Sequence, residues 1–314
     1  MKLKLYFILL FLISQSFLAQ NNYYWVGGPG NWTDLNHWRI GSSSGQAATI
    51  IPSRYDNVYI TSGSGFTSSG GMLNIPSTAT CKDFIIDDSF NTKLSFPAGS
   101  VFNVYGNLKW KSNAGAYYNL TMNLFSDSSN PTPNLIDVPD NMIDPGYVNG
   151  GYQSSFNLKG NGTFKLVKNF VSNGFFLFNI SDSAFLDTDH KNISSLMLTH
   201  SSTAASNFRS STITTTSSMT FNSSVNLTQA TVTFVSLNIQ TTQDIKKILL
   251  TSSGYAQISG GNLLTVDEVT GVGTSGGNFT GNQFNINKVN VYSCLFNATL
   301  LKANDIVIGD GSAE

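Results

Sequence analysis

Short runs in which apolar and polar side chains alternate, each closed by Gly, Asn or Ser, recur along this chain and constrain its fold more than any other feature. DNVYI puts Val58 and Ile60 on one face, and VFNVYGNLKW puts Phe102 with Val104 and, after Gly106, Leu108 with Trp110. GTFKLVKNF alternates Phe164 and Leu166 with lysines; ATVTFVSLNIQ alternates Val232 with Phe234, then Leu237 with Ile239. Successive side chains of a strand point to opposite faces, so a period of two marks a half-buried strand. The best candidate for a 3.6-residue period, TTQDIKKILL at residues 241 to 250, is short and β-branched enough to be a strand as well. Many short strands separated by turn signals make an all-β protein.

The pair Phe-Asn recurs at Phe156, Phe178, Phe221 and Phe284, at steps of 22, 43 and 63 residues, close to multiples of 21. Two further copies, at Phe102 and Phe296, do not obey that spacing. A period of this size suits a right-handed parallel β-helix, a solenoid with apolar residues stacked inside and asparagines laddered at the corners. The pairs Gly106-Asn107, Gly160-Asn161, Gly261-Asn262 and Gly281-Asn282 fit such corners, because both residue types tolerate left-handed backbone angles. A β-sandwich is the alternative architecture. Residues 113–153 hold four of the eight prolines and read as a Pro-rich insertion on the solenoid, since proline fits poorly within paired strands.

Only 11% of the 314 residues are charged, whereas 40% are hydrophobic, with 22 Phe and 12 Tyr. That aromatic content separates the chain from disordered sequences, and hydroxyls and amides replace charge as its polar surface. A net charge of −1 offers no basic footprint for nucleic acid. Residues 1–19 place Lys2 and Lys4 ahead of a short apolar run and small polar residues, the layout of a secretory signal peptide. That run is too short to span a bilayer, so no transmembrane segment is expected after its removal. Export would permit a bridge between Cys81 and Cys294, but buried free thiols are the simpler expectation.

Residues 20–60 carry Trp25, Trp32 and Trp38, three of the four tryptophans, among Gly27, Gly28 and Gly30. The frame W-x-G-G-x-G-N-W-x-D-x-x-x-W, followed by P-x-x-x-D-x-V-x-I over Pro52, Asp56, Val58 and Ile60, resembles the entry segment of exported β-helical surface proteins. These are autotransporter-like passengers and large cell-surface proteins of the Bacteroidetes group, many of them adhesin-like and exported by the type IX system. The resemblance covers residues 23 to 60 and implies a surface or outer-membrane location and a role in adhesion. A solenoid's terminal coil exposes the end of its core, so Trp25, Trp32, Trp38 and Asp56 are read as a structural cap and not a sugar platform. Residues 61–314 are then the solenoid, with DIVIGDGSAE reading as mid-coil and the coil as continuing past it.

Catalytic signals are weak. Asp83, Asp87 and Asp88 lie on or beside one strand, and Asp187 and Asp189 would share one strand face near His190 and Asn192. The second group is the best candidate for a metal, a structural calcium held by oxygen ligands, although it lacks the Gly and distal Glu of an EF-hand loop. Arg209 and Lys191 are available as bases for a polysaccharide lyase, and a glycoside hydrolase would need two carboxylates at a set separation. His37, His190 and His200 share no metal-ligand spacing. The expectation is therefore a secreted or cell-surface, non-catalytic, adhesin-like solenoid without a required cofactor, whose partner is an extracellular glycan or surface protein. The alternative is a polysaccharide lyase or glycoside hydrolase on the same fold.

Overall fold

The alternating runs become strands whose alternate apolar residues point inward. The computed structural model describes residues 20–67, 70–92, 94–97, 99–110, 120–139, 142–143, 154–173, 176–251 and 255–309; the expected signal peptide lies outside them. The chain is 60% strand and 2% helical, wound as parallel stacked coils into a β-solenoid of about 10 turns. Apart from Trp38–Ile40 and Gln46–Ala47, the strands pair parallel with a counterpart one coil away, as in Val58↔Phe84, Phe84↔Leu108 and Leu108↔Ile136, which sets aside the sandwich alternative. TTQDIKKILL supplies the strand Gln243–Leu250. Val58, Ile60, Phe102, Val104, Leu108, Trp110, Phe164 and Leu166 are all buried.

One inward column runs from Phe102 through Met122, Phe156 and Phe178 to Phe279 and Phe296. It corrects the proposed repeat. Phe102 and Phe296, which the 21-residue spacing left out, are members. Phe221 stands two places further along its strand, between His200 and Ile239, and Phe284 lies past a register shift, opposite Leu264. The period fails because coil length varies, with equivalent asparagines 20, 34 and 22 residues apart.

Those asparagines form the expected ladder, but along a strand face instead of a corner. Asn123 Nδ2 donates to Asn103 Oδ1 at 2.9 Å, Asn157 to Asn123 at 3.0 Å and Asn179 to Asn157 at 2.9 Å. An amide carries both donor and acceptor, so identical residues stacked at the strand spacing of about 4.8 Å satisfy one another. Of the four Gly-Asn glycines only Gly160, at φ 92°, has a left-handed backbone.

The Pro-rich stretch is only partly an insertion. Thr121–Ser126 and Asn134–Asp137 lie within it and pair in register with the coils on either side. Pro131 and Pro133 fall between these strands and Pro139 follows the second, where no ladder hydrogen bond is needed. The extra length belongs to the coil from Asn123 to Asn157, 34 residues. Pro145 and residues 144–153 lie outside the described residues.

The two ends differ. At the first, Trp38–Ile40 runs antiparallel to Asn22–Trp25 and to Gln46–Ala47, turning the sheet over on itself. Asn22–Trp25 is itself parallel to Asn57–Ile60, so the solenoid begins inside the expected cap. At the other, Ser293–Ile308 pairs only with Gly276–Val291 among the described residues.

Asn123→Ala removes one bond to each neighbour in the ladder. Unsatisfied polar groups of this kind cost about 1–3 kcal/mol, so its urea midpoint is expected to fall. Asn238→Ala, which loses a bond to Gln240 on the same coil, is expected to shift the midpoint less.

Candidate functional site

The tryptophan segment is wholly consumed by packing. Trp25, Trp32 and Trp38 are each 0% exposed, which leaves no indole face for a sugar ring. Trp38 meets Trp25 edge-on at 5.0 Å and Trp32 at 4.8 Å, and Trp32 meets Phe102 of the core at 5.0 Å. Trp25 stacks on His37 at 4.5 Å and donates its Nε1–H to the Gly28 carbonyl at 2.7 Å; Trp38 donates to the Trp32 carbonyl at 2.7 Å. The glycines follow from this. Gly28 has φ 75°, and a Cβ on Gly30 would lie 2.1 Å from His37 Nε2. Asp56 is buried and accepts from Asn21 N–H at 3.1 Å and from Ser53 N–H and Oγ–H at 2.9 and 2.6 Å, fastening the entry segment to the first coil.

Asp187 and Asp189 do not share a strand face. Asp187 ends the strand Phe185–Asp187, whereas Asp189 sits in the following turn at φ 48°. Asp187 takes Arg209 at 3.0 Å and the Asp189 N–H at 3.0 Å; Asp189 takes Lys165 at 3.1 Å. The hydrogen bond from Lys165 holds the Asp189 carboxyl below the usual carboxylate range. Both acids are thus engaged by cations, and no group of three or more His, Cys, Asp or Glu side chains among the described residues is placed to hold a metal. Asp83 accepts from Asn107 N–H and Nδ2–H at 2.8 and 3.0 Å, and Asp87 caps a turn through the Ser89 N–H at 2.9 Å.

His200 is buried with its ring between two hydroxyls, Nδ1 2.8 Å from Ser223 Oγ and Nε2 2.9 Å from Ser206 Oγ. Ser206 is also fully buried and accepts from the Leu186 N–H, so this Ser–His contact has no access for substrate. Burial pushes the His200 pKa down to about 4. Cys81 and Cys294 are free thiols, and burial raises both, Cys294 to about 12.

Open clefts lie on the far coils. One of about 530 Å³ is lined by Thr242, Asn262, Leu263, Asn282, Gln283 and Thr299. Another of about 520 Å³ is lined by Gln257, Asn278, Cys294 and Leu295. The first lining is amides and hydroxyls around Leu263; the second sets two amides beside the Cys294 thiol and Leu295. At the opposite end an exposed aromatic corner carries Arg54 over the rings of Tyr55 and Tyr105, at 4.8 and 5.9 Å, with Tyr105 stacked on Phe125 at 4.7 Å. Attention to tryptophan missed this corner. Aligning the coils on Asn103 and Asn123 would have found it, since Tyr105 and Phe125 both stand two places on.

No protein-family model, curated protein or solved structure matches this chain, so the functional reading comes from its own residues.

Two outcomes follow. Trp32→Ala is expected to lose about 3–5 kcal/mol of stability without selectively abolishing ligand binding; an unchanged melting point with lost binding would assign the indoles to a ligand. As pH falls from 6.5 to about 4, His200 stays neutral in the folded chain while its unfolded counterpart takes up a proton. Stability is therefore lost across that interval, by about 3 kcal/mol. Urea midpoints for His200→Gln should be flatter over the same range.

Proposed function

We propose that this chain is a non-catalytic, secreted or cell-surface β-solenoid of the structural or adhesin-like kind, which binds extracellular glycans or proteins through the outer faces of its coils. The observation that carries this reading is the chemistry of those faces. One open cleft is lined by Asn, Gln and Thr around Leu263 and the other by Gln257 and Asn278 beside Cys294 and Leu295, while Asp187, Asp189, Asp267 and Glu268 are each engaged by a neighbouring Lys or Arg. Amides and hydroxyls carry both donors and acceptors, as sugar hydroxyls do, and many such contacts add up over a long surface without any single strong one. Export rests on the signal-peptide layout of residues 1–19 and on the resemblance of residues 23 to 60 to surface-protein entry segments. Among the described residues no helix is long and apolar enough to cross a membrane.

A catalytic second reading draws on one feature, the gathering of Asp187, Asp189, Lys165 and Arg209 from adjacent coils. A lyase needs acids and a base on one face, but its base must be free to take a proton, and Arg209 is bonded to Asp187 at 3.0 Å.

The purified chain should be retained on at least one surface of a glycan and extracellular-protein panel, without releasing reducing or unsaturated ends. Asn262→Ala with Asn282→Ala should weaken that retention severalfold. Depolymerisation of a polysaccharide, lost in Arg209→Ala, would replace this reading with the enzymatic one. Protease added to intact source cells should digest the protein.

A further inference from the structure

The asparagine ladder belongs to a longer row. From Thr80 to Thr280 one outward place on each coil stacks in register on the next, and every one is Asn, Thr or Ser. All of these places are half-exposed or exposed. The outward row beside it, from Val101 to Asn278, holds no Lys, Arg, Asp or Glu either. Ion pairs such as Lys165–Asp189, Arg209–Asp187 and Lys246–Asp267 fall off both rows. Two places along on the other side, Lys82 and Lys159 flank one end of the row, with Tyr105 and Phe125 on the coils between them.

Within the glycan-binding reading, on which this rests, we propose that the neutral band is a track for one extended, uncharged polysaccharide chain lying along the solenoid axis. Its polar groups recur at the coil spacing of about 4.8 Å, close to the length of one sugar residue in an extended chain, so each coil meets one sugar. A chain that winds into a helix, as amylose does, would leave a straight row within a few places. Because the two rows carry no charge, an acidic polymer gains no ion pair from them, and a neutral one strips water from no unpaired ion.

The amides of the track are already fixed in place. Asn123 and Asn157 each spend one N–H and one lone pair on the ladder, and a primary amide has two of each. One N–H and one lone pair per side chain are left for a sugar hydroxyl, without the entropy loss of ordering a free side chain. Tyr105 and Phe125, parallel rings 4.7 Å apart, wall one end of the track beside Asn103 and Asn123. Many weak contacts in a line make affinity depend on how much of the line a ligand covers.

Titration calorimetry tests this, using the full chain after removal of any leader and β-1,4-linked oligomers of glucose, mannose, xylose and N-acetylglucosamine of increasing length. Affinity in at least one series should keep rising well beyond the trisaccharide. It should also hold in high salt, since there is no ion pair to screen. Thr199 and Thr220 stand mid-row and make no side-chain hydrogen bond among the described residues. Thr199→Val with Thr220→Val keeps the β-branched shape, so its melting point should match the wild type. Losing two hydroxyls should weaken binding of the longest oligomer about tenfold, whereas Thr199→Ser with Thr220→Ser should bind as the wild type does. No binding in any series, affinity that stops growing at the disaccharide, or a valine pair that binds normally would overturn the track. Capture of an acidic polymer or a protein, untouched by the valine pair, would overturn it too while leaving the proposed function standing. Retention on no surface of the wider panel would remove both.

Discussion

Parallel stacking in register is the constraint on which the rest of this molecule depends. Every side chain finds its neighbour one coil away at about 4.8 Å, at the same height on the strand and on the same face. Side chains that satisfy their own kind can therefore be repeated, and those that repel their own kind cannot. Phe stacks on Phe and Asn bonds Asn, as along Asn103, Asn123, Asn157 and Asn179. Carboxylates break the like-on-like rule and take a different partner, a cation on the adjoining coil, as Asp267 meets Lys246 and Glu268 meets Lys247, or amide and N–H donors, as Asp83 meets Asn107. An 11% charged composition rich in amides and hydroxyls is what such stacking selects.

This also explains which parts of the structure were legible beforehand. The strands were readable because burial imposes a period of two within each one, so Val58 and Ile60, or Phe164 and Leu166, declared their face locally. The repeat was not, because the stacking rule fixes which residues meet across coils and not how many residues lie between them. The coil from Asn123 to Asn157 is longer than its neighbours, yet both its ends stay in register. Proline density misled for the same reason: Pro131 and Pro133 mark a turn of a working coil, not its interruption.

The surface features were less legible than the core. Pairing of Asp187 with Arg209 and of Asp189 with Lys165 joins residues about one coil apart in sequence, invisible without the register. The tryptophan segment was read from its residues because its geometry is local: three indoles, a histidine and glycines that admit them fall within the stretch from Trp25 to Trp38. The clefts on the far coils, by contrast, take one or two residues from each of several strands, and no short motif announces them.

The asparagine ladder has a direction. Each Nδ2–H points back toward the tryptophan-rich end, from Asn179 to Asn157 to Asn123 to Asn103, whose own amide reaches the Ala79 carbonyl at 3.3 Å. A finished rung therefore presents an open acceptor to the turn that follows it, and the incoming turn brings the donor. Chains emerge from the ribosome amino end first, so the acceptor is in place before its donor is made. The polarity of the ladder thus matches the order in which its coils are synthesised.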